Sequence, residues 1–274
     1  MKSNLDNDII RLPWSETLSR SFAYWYENIK HSLTLALPGL FLALYLFFTD
    51  SSVNKAEMGA LVAIGYFLIN IYSCYVFVAY SRFVMLREEP KKLNFSFGQK
   101  EFKYLLMVFL LEGIPSMLIL GMIMFSSKHP ELATSGIFSL SFLILFLSLF
   151  VAIIILSRCR LVYSAVSVDD AQMTLAKSFS VTKGNANKIF WGAFLINLFE
   201  MILLLLPQYL DKNLSLTVVS NILVLFVTFM IVSLRASFYA HAYQYFTYFS
   251  KKRLEDDEAR ALSKLEEKEH QRME

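Results

Sequence analysis

A chain of 274 residues that is 56% hydrophobic, with a mean hydropathy of +0.48, carries more apolar surface than the core of one soluble domain can absorb, so the surplus must face lipid. Its net charge of +3 does not make a nucleic-acid partner: the 26 basic residues flank apolar stretches and mix with 23 acids, a distribution that anionic lipid headgroups explain.

In chain order, the first predicted element is a short amphipathic helix near 15–30. Ser15 is its N-cap, and Leu18, Phe22, Trp25 and Ile29 recur at helical spacing, with Arg20, Glu27 and Lys30 on other faces. Such a helix lies in the membrane interface with its stripe against lipid or the bundle, which makes Leu18, Phe22, Trp25 and Ile29 candidate lipid-facing residues. A first span, 32–48, follows. It comes after 31 residues and lacks a small-residue cleavage pattern, so it is read as an uncleaved anchor, with Pro38 a tolerated kink. The remaining spans are 58–80, 104–125, 136–156, 189–206 and 216–234, each near the roughly 17–25 residues that cross ~30 Å of hydrocarbon.

Two more short helices are predicted between spans. One, near 95–102, has Ser96 and Gln99 at capping-box spacing. The other, near 169–184, has Asp169 and Gln172 at the same spacing, Leu175 and Phe179 on its apolar side as further candidate lipid-facing residues, and Gly184 as a left-handed stop. After the last span, the aromatic stretch 238–246 suits an interfacial belt, and 250–274, with 7 basic and 8 acidic side chains, reads as a charged, solvated helical tail.

The elements repeat. Thr17-Leu18-Ser19-Arg20-Ser21-Phe22 matches Thr174-Leu175-Ala176-Lys177-Ser178-Phe179 at an offset of 157, which also carries Asn28 onto Asn185, and a fainter copy runs from Ser96 to Lys103. Spans two, four and six end in Ser81-Arg82, Ser157-Arg158 and Ser233-Leu-Arg235, so Arg82, Arg158 and Arg235 are read as anchors at one boundary. Arg235, ~28 Å along the helix from Leu216, snorkels there to water. The fold class is therefore all-α: a polytopic bundle of six transmembrane helices, built as three repeats of a short amphipathic cytoplasmic helix plus a transmembrane hairpin. Residues 1–249 form the membrane domain. Lys and Arg number 22 on one side of the spans against 3 on the other, leaving Arg235 aside, which places both termini in the cytoplasm.

Glu112 and Glu200 are the acids that remain at hydrocarbon depth, where a charge costs roughly 2.5–3.5 kcal/mol and must be protonated or partnered. Glu112 and Asn197 both lie nine residues after a lysine, Lys103 and Lys188, and with Asn70, Ser116 and Glu200 they suggest a polar seam in the inner half of the bundle. Two readings stay open. The seam is a proton or substrate path, helped by Gly113 and Pro115 beside Glu112, or it is a set of interhelical hydrogen bonds worth about 0.6 kcal/mol each.

Catalytic signatures are missing from the chain: there is no Gly-x-Ser-x-Gly elbow, phosphate loop or His-Glu-x-x-His, and His31, His129, His241 and His270 stand apart. No enzyme activity, cofactor or metal is expected. Cys74 and Cys159 are too far apart along the topology for a disulfide.

The block 158–194 reads Arg-Leu-Val-Tyr-Ser-Ala, Val-Asp-Asp-Ala, Thr-Leu-Ala-Lys-Ser-Phe and Thr-Lys-Gly-Asn. It resembles the signature of the YciC-type bacterial inner-membrane proteins and of the related membrane domain attached to some glycerophosphoryl diester phosphodiesterases. Ser164 stands where such proteins carry a proline-containing turn, and with no phosphodiesterase domain in the sequence the hydrolytic activity does not transfer. The resemblance implies a multi-pass protein of the bacterial cytoplasmic membrane concerned with envelope or lipid upkeep. The residues support three kinds of role: membrane lipids engaged through the interfacial helices, proton-coupled transport of a small solute along the seam, or a scaffold for a membrane or cytoplasmic protein partner.

Overall fold

The computed structural model describes residues 11–50, 55–88, 98–113, 157–214 and 217–273, with isolated positions 117, 147 and 154. Apart from those positions, the predicted span 136–156 and the stretch 114–125 of the preceding span lie outside the described residues, as does Ser96. Every regular element described is helical: α1 (Trp14–Glu27), α2 (Ile29–Asp50), α3 (Lys55–Leu86), α4 (Gln99–Val108) continuing into a π-helical turn (Phe109–Gly113), a 3-10 turn (Arg158–Arg160), α5 (Leu161–Ser167), α6 (Leu175–Val181), α7 (Ala186–Leu214) and α8 (Thr217–Met273). Three helices contain stretches long and apolar enough to cross a membrane, Phe67–Leu86, Ala186–Asp211 and Val219–Phe249, and the chain is a helical membrane protein.

The axis of the packing is α8, whose 57 residues extend ~85 Å and which touches α7, α3, α2, α1 and α5. Two glycines let neighbouring helices come close to it. A Cβ on Gly39 of α2 would fall 2.0 Å from the Phe229 ring, and one on Gly192 of α7 would fall 2.2 Å from the Phe238 ring, with both rings fully buried. Small residues at such crossings replace the hydrophobic drive that lipid removes. Helices α7 and α8 run antiparallel, since Gly192 meets Phe238 while Ser220 donates to the Pro207 carbonyl at 2.8 Å.

At the end of the bundle that carries α1, α5 and α6, here the basal end, the helices form a packed body. Phe77 stacks on Tyr104 at 4.4 Å, and the Tyr163 ring meets Phe77, Tyr104 and Tyr239 edge-on, which joins α3, α4, α5 and α8 in one aromatic cluster. The aromatic stretch after Arg235 belongs to this body and not to an interfacial belt: Phe238, Tyr239, Tyr243 and Phe246 are buried. Its four-residue spacing faces protein, so the same stripe that would suit an interface serves as core.

Local chemistry moves several predicted helix starts. Pro13 occupies the cap of α1, and Ser15 lies within its first turn. At α4 the cap is Gly98, whose N–H donates to the Glu101 carboxylate at 2.9 Å, and the helix runs on through Lys103 without the break a separate 95–102 helix requires. Asp169 does not cap a helix. It sits in a turn at φ 58°, while Asp170 accepts from the Gln172 N–H at 2.9 Å, so the acids stabilise the turn and α6 starts later, under Thr174, whose hydroxyl accepts from the Lys177 N–H at 3.2 Å. Ser164 lies fully buried within α5. Gly184 adopts the left-handed conformation expected of it, at φ 76°.

Candidate functional site

The exposed face of α7 gives the depth scale. Trp191 (48% exposed) and Tyr209 (59%) stand at its two ends, ~27 Å apart at 1.5 Å per residue, with exposed Leu198, Met201, Ile202 and Leu205 between them. Aromatic residues at two levels separated by about the hydrocarbon thickness bracket the length of α7 that suits a bilayer core. Glu200 therefore lies well inside, ~13 Å from the Trp191 level.

At that depth Glu200 forms an ion pair with Arg235 of α8. This corrects the reading of Arg235 as a snorkelling anchor, and helix geometry supplies the reason. Side chains lean toward the N-terminus of their own helix. On antiparallel α7 and α8, Glu200 leans toward the basal end and Arg235 leans away from it, so the two converge. Glu200 keeps only 16% of its side-chain surface and Arg235 33%, while the Arg235 Nε is buried with no hydrogen-bond partner among the described residues.

The predicted seam is not assembled as a unit among the described residues. Glu200 finds Arg235, a cation the seam did not include. Asn197, one turn away, and Asn70 on α3 are both exposed, so Asn197 is not part of an internal polar layer. Glu112 lies within the π-helical turn Phe109–Gly113, one residue before Gly113. Its side chain and Ser116 lie outside the described residues.

The other two boundary arginines also bind within the protein. Arg82 donates to Glu88 through Nε (2.8 Å) and Nη2 (2.7 Å), and through Nη1 to the Ser167 carbonyl at 2.9 Å, at the end of α5. Arg158 donates to the Phe179 carbonyl and lies over the Phe179 ring, 3.6 Å from its centroid.

The apolar stripe of α1 faces the bundle and not lipid. Trp25 is buried, and its indole N–H donates to the Ser233 hydroxyl at 3.0 Å, which in turn lies 2.9 Å from the Ser32 hydroxyl. Phe22 meets Phe199 edge-on at 5.5 Å, and Leu18 and Ile29 pack half-buried on the core, as Leu175 does on α6. Phe179 remains 38% exposed. An indole N–H inside hydrocarbon needs an acceptor, and the helix rotates Trp25 to the one that α8 offers.

The residues that sequence reasoning undervalued are the serines. Ser81, Ser157 and Ser233, which precede the three arginines, are all fully buried, as are Ser21 and Ser178 at matching places in the two clear repeat copies. Ser178 donates to the Arg158 carbonyl at 2.7 Å, Ser157 to the Ala186 carbonyl at 3.0 Å, and Ser237 to the Ser21 carbonyl at 3.2 Å. A hydroxyl that bonds to backbone occupies little space, so helices can close on it. The Ser-Arg boundary is visible in the sequence, and the burial of its serine is not. Beside this network the His241 Nδ1 is 2.8 Å from the Ser237 carbonyl, and its ring meets Tyr24 edge-on at 5.5 Å. Arg87 donates to the Tyr24 hydroxyl at 2.7 Å; burial pushes that phenol above its ordinary range, with Arg87 opposing.

Among the described residues no three His, Cys, Asp or Glu side chains come together as metal ligands. Comparison with known proteins yields no match: no family model, no curated protein and no solved structure is similar to the chain.

Proposed function

We propose that the chain is a non-enzymatic, multi-pass protein of a bacterial cytoplasmic membrane, with six spans, both termini in the cytoplasm and a role in envelope or lipid upkeep, and that it holds anionic phospholipid at its basal rim. One observation carries the reading. Three large exposed rings stand within four residues of an exposed lysine in the segments that lead into spans: Tyr26 with Lys30, Phe102 with Lys103, and Phe179 with Lys183. A ring at the acyl boundary and an ammonium among phosphates form the usual interfacial pair. Tyr26 and Phe102 take over the lipid role expected of Phe22 and Trp25, and Phe179 keeps its own.

The threefold repeat gains support from how the blocks pack. The block after the fourth span bonds back to that span's end, Ser178 and Thr182 both reaching the Arg158 carbonyl at 2.7 and 3.2 Å. The block after the second span stacks Tyr104 on Phe77 of α3. The first block docks on the last span, Trp25 against Ser233 and Ser237 against the Ser21 carbonyl. The ring of repeats closes head to tail. The Glu200–Arg235 pair favours the structural reading of the seam over transport, because a carboxylate held by a guanidinium is not free to carry a proton or solute.

Native mass spectrometry of wild type beside a Tyr26→Ser/Phe102→Ser/Phe179→Ser variant tests the lipid reading. Loss of retained phosphatidylglycerol from the variant, with its melting unchanged, is the expected result. Equal retention would overturn it. A second reading, a scaffold for a partner protein, is favoured by the unbroken helix that α8 continues to Met273, and co-purification that survives deletion of 251–274 would remove it.

A further inference from the structure

Asn197 is exposed on α7, ~9 Å inside the Trp191 level, and makes no hydrogen bond with the described residues. A bare carboxamide against acyl chains is costly, since lipid tails offer it neither donor nor acceptor. It belongs to a continuous stripe. Phe194, Asn197, Met201, Leu205 and Gln208 follow one another at spacings of three and four along one side of the helix, and all five are exposed. Phe194, Met201 and Leu205 are 43%, 66% and 61% exposed, so the stripe is a knob-bearing surface with its amide near one end. Its spacing is that of a left-handed helix pair.

We propose that this face of α7 is a homodimer interface, occupied by the same face of a second copy of the chain. The chemistry selects that occupant. Copies inserted in one bilayer share an orientation, so a twofold axis along the membrane normal sets each residue opposite its own counterpart at the same depth. A lysine or a carboxylate would meet its own charge there. A carboxamide meets both a donor and an acceptor, so Asn197 satisfies Asn197 across the axis, and at the far boundary Gln208 does the same. The Glu200–Arg235 pair lies one turn behind and is neutral as a pair, so it sets no charge against its counterpart across the axis.

Disulfide trapping in native membranes tests this. In full-length protein with Cys74→Ala and Cys159→Ala, a single cysteine is placed on the stripe (Met201→Cys) or about 140° around the same helix (Leu206→Cys, also exposed), and mild oxidation is followed by denaturing electrophoresis. The 201 cysteine gives a covalent dimer and the 206 cysteine does not. Adding Asn197→Leu lowers the dimer about 3- to 30-fold, the range expected for one interhelical polar contact, while Asn197→Gln keeps it. Absence of dimer from 201 would mean that another element of the chain or lipid covers the stripe, and equal trapping at 201 and 206 would mean random collision. Either result overturns the proposal, as does a dimer indifferent to Asn197→Leu. Unchanged monomer melting in each variant separates these outcomes from misfolding.

Discussion

Replacing Arg235 with methionine keeps most of the side chain's length and removes its charge, leaving Glu200 to face α8 alone. Removing one member of a fully buried pair costs ~3–5 kcal/mol, because the survivor is left charged and unpaired. Here Glu200 is 16% exposed and Arg235 33%, so water screens part of the loss and the expected cost is about 2–3 kcal/mol. Glu200→Gln removes the opposite charge and leaves an amide oxygen that still accepts from the guanidinium, so its cost is smaller, about 1–2 kcal/mol. Glu200→Leu combined with Arg235→Met removes both charges, and the double variant is expected within ~1 kcal/mol of wild type, since an apolar pair of similar size replaces a buried ion pair at little cost. Thermal unfolding in detergent reads all four proteins, with Arg235→Met falling by about 5–10 °C and the double variant recovering most of the loss. If Arg235→Met melted with wild type, or if the double variant were no better than the worse single one, the pairing would be energetically empty and Arg235 would be an interfacial anchor after all.

Gly192→Ala puts a methyl 2.2 Å from the fully buried Phe238 ring, so it is expected to destabilise by about 1–3 kcal/mol, and a wild-type melting temperature would show that α7 and α8 can separate there freely. Trp25→Phe removes the hydrogen bond to Ser233 at a cost of about 1 kcal/mol, whereas Trp25→Ala removes the buried ring as well, at about 3–5 kcal/mol. Lipid retention by the Trp25→Phe protein should not change, and a selective loss of lipid without loss of stability would return Trp25 to the membrane interface. Thr174→Ala removes the acceptor for the Lys177 N–H and is expected to cost about 1 kcal/mol, visible as faster amide exchange in α6.

Much of this architecture was legible from the order of residues. Apolar runs of membrane length predicted the spans, and three of the helices described fulfil them, because lipid imposes its requirement on each helix separately: enough apolar residues and no unpaired backbone. The left-handed Gly184 was legible for the same reason, since a glycine's backbone freedom is a local property. What an apolar stripe faces is not local. Leu18, Phe22 and Trp25 have a periodicity that suits lipid and protein equally, and only the presence of Ser233 and Phe199 beside them decides for protein. The same holds for Phe238 to Phe246, read as a belt and found as core.

Charge at depth shows the division most clearly. That Glu200 needs a partner follows from residue order alone, because an ion in hydrocarbon is costly wherever it stands. It could not name the partner, since Glu200 and Arg235 are 35 positions apart and Arg235 lies next to a boundary where water would have satisfied it. Their meeting depends on how far α7 and α8 slide past each other, which Gly192 sets by admitting Phe238. Asn197 is the converse case: its place in the sequence suggested an internal seam, and the rotation of α7 turned it outward. Depth in the membrane is additive along a helix and can be counted residue by residue. Rotation and register arise from contacts among helices far apart in the chain, and they become fixed when those helices pack.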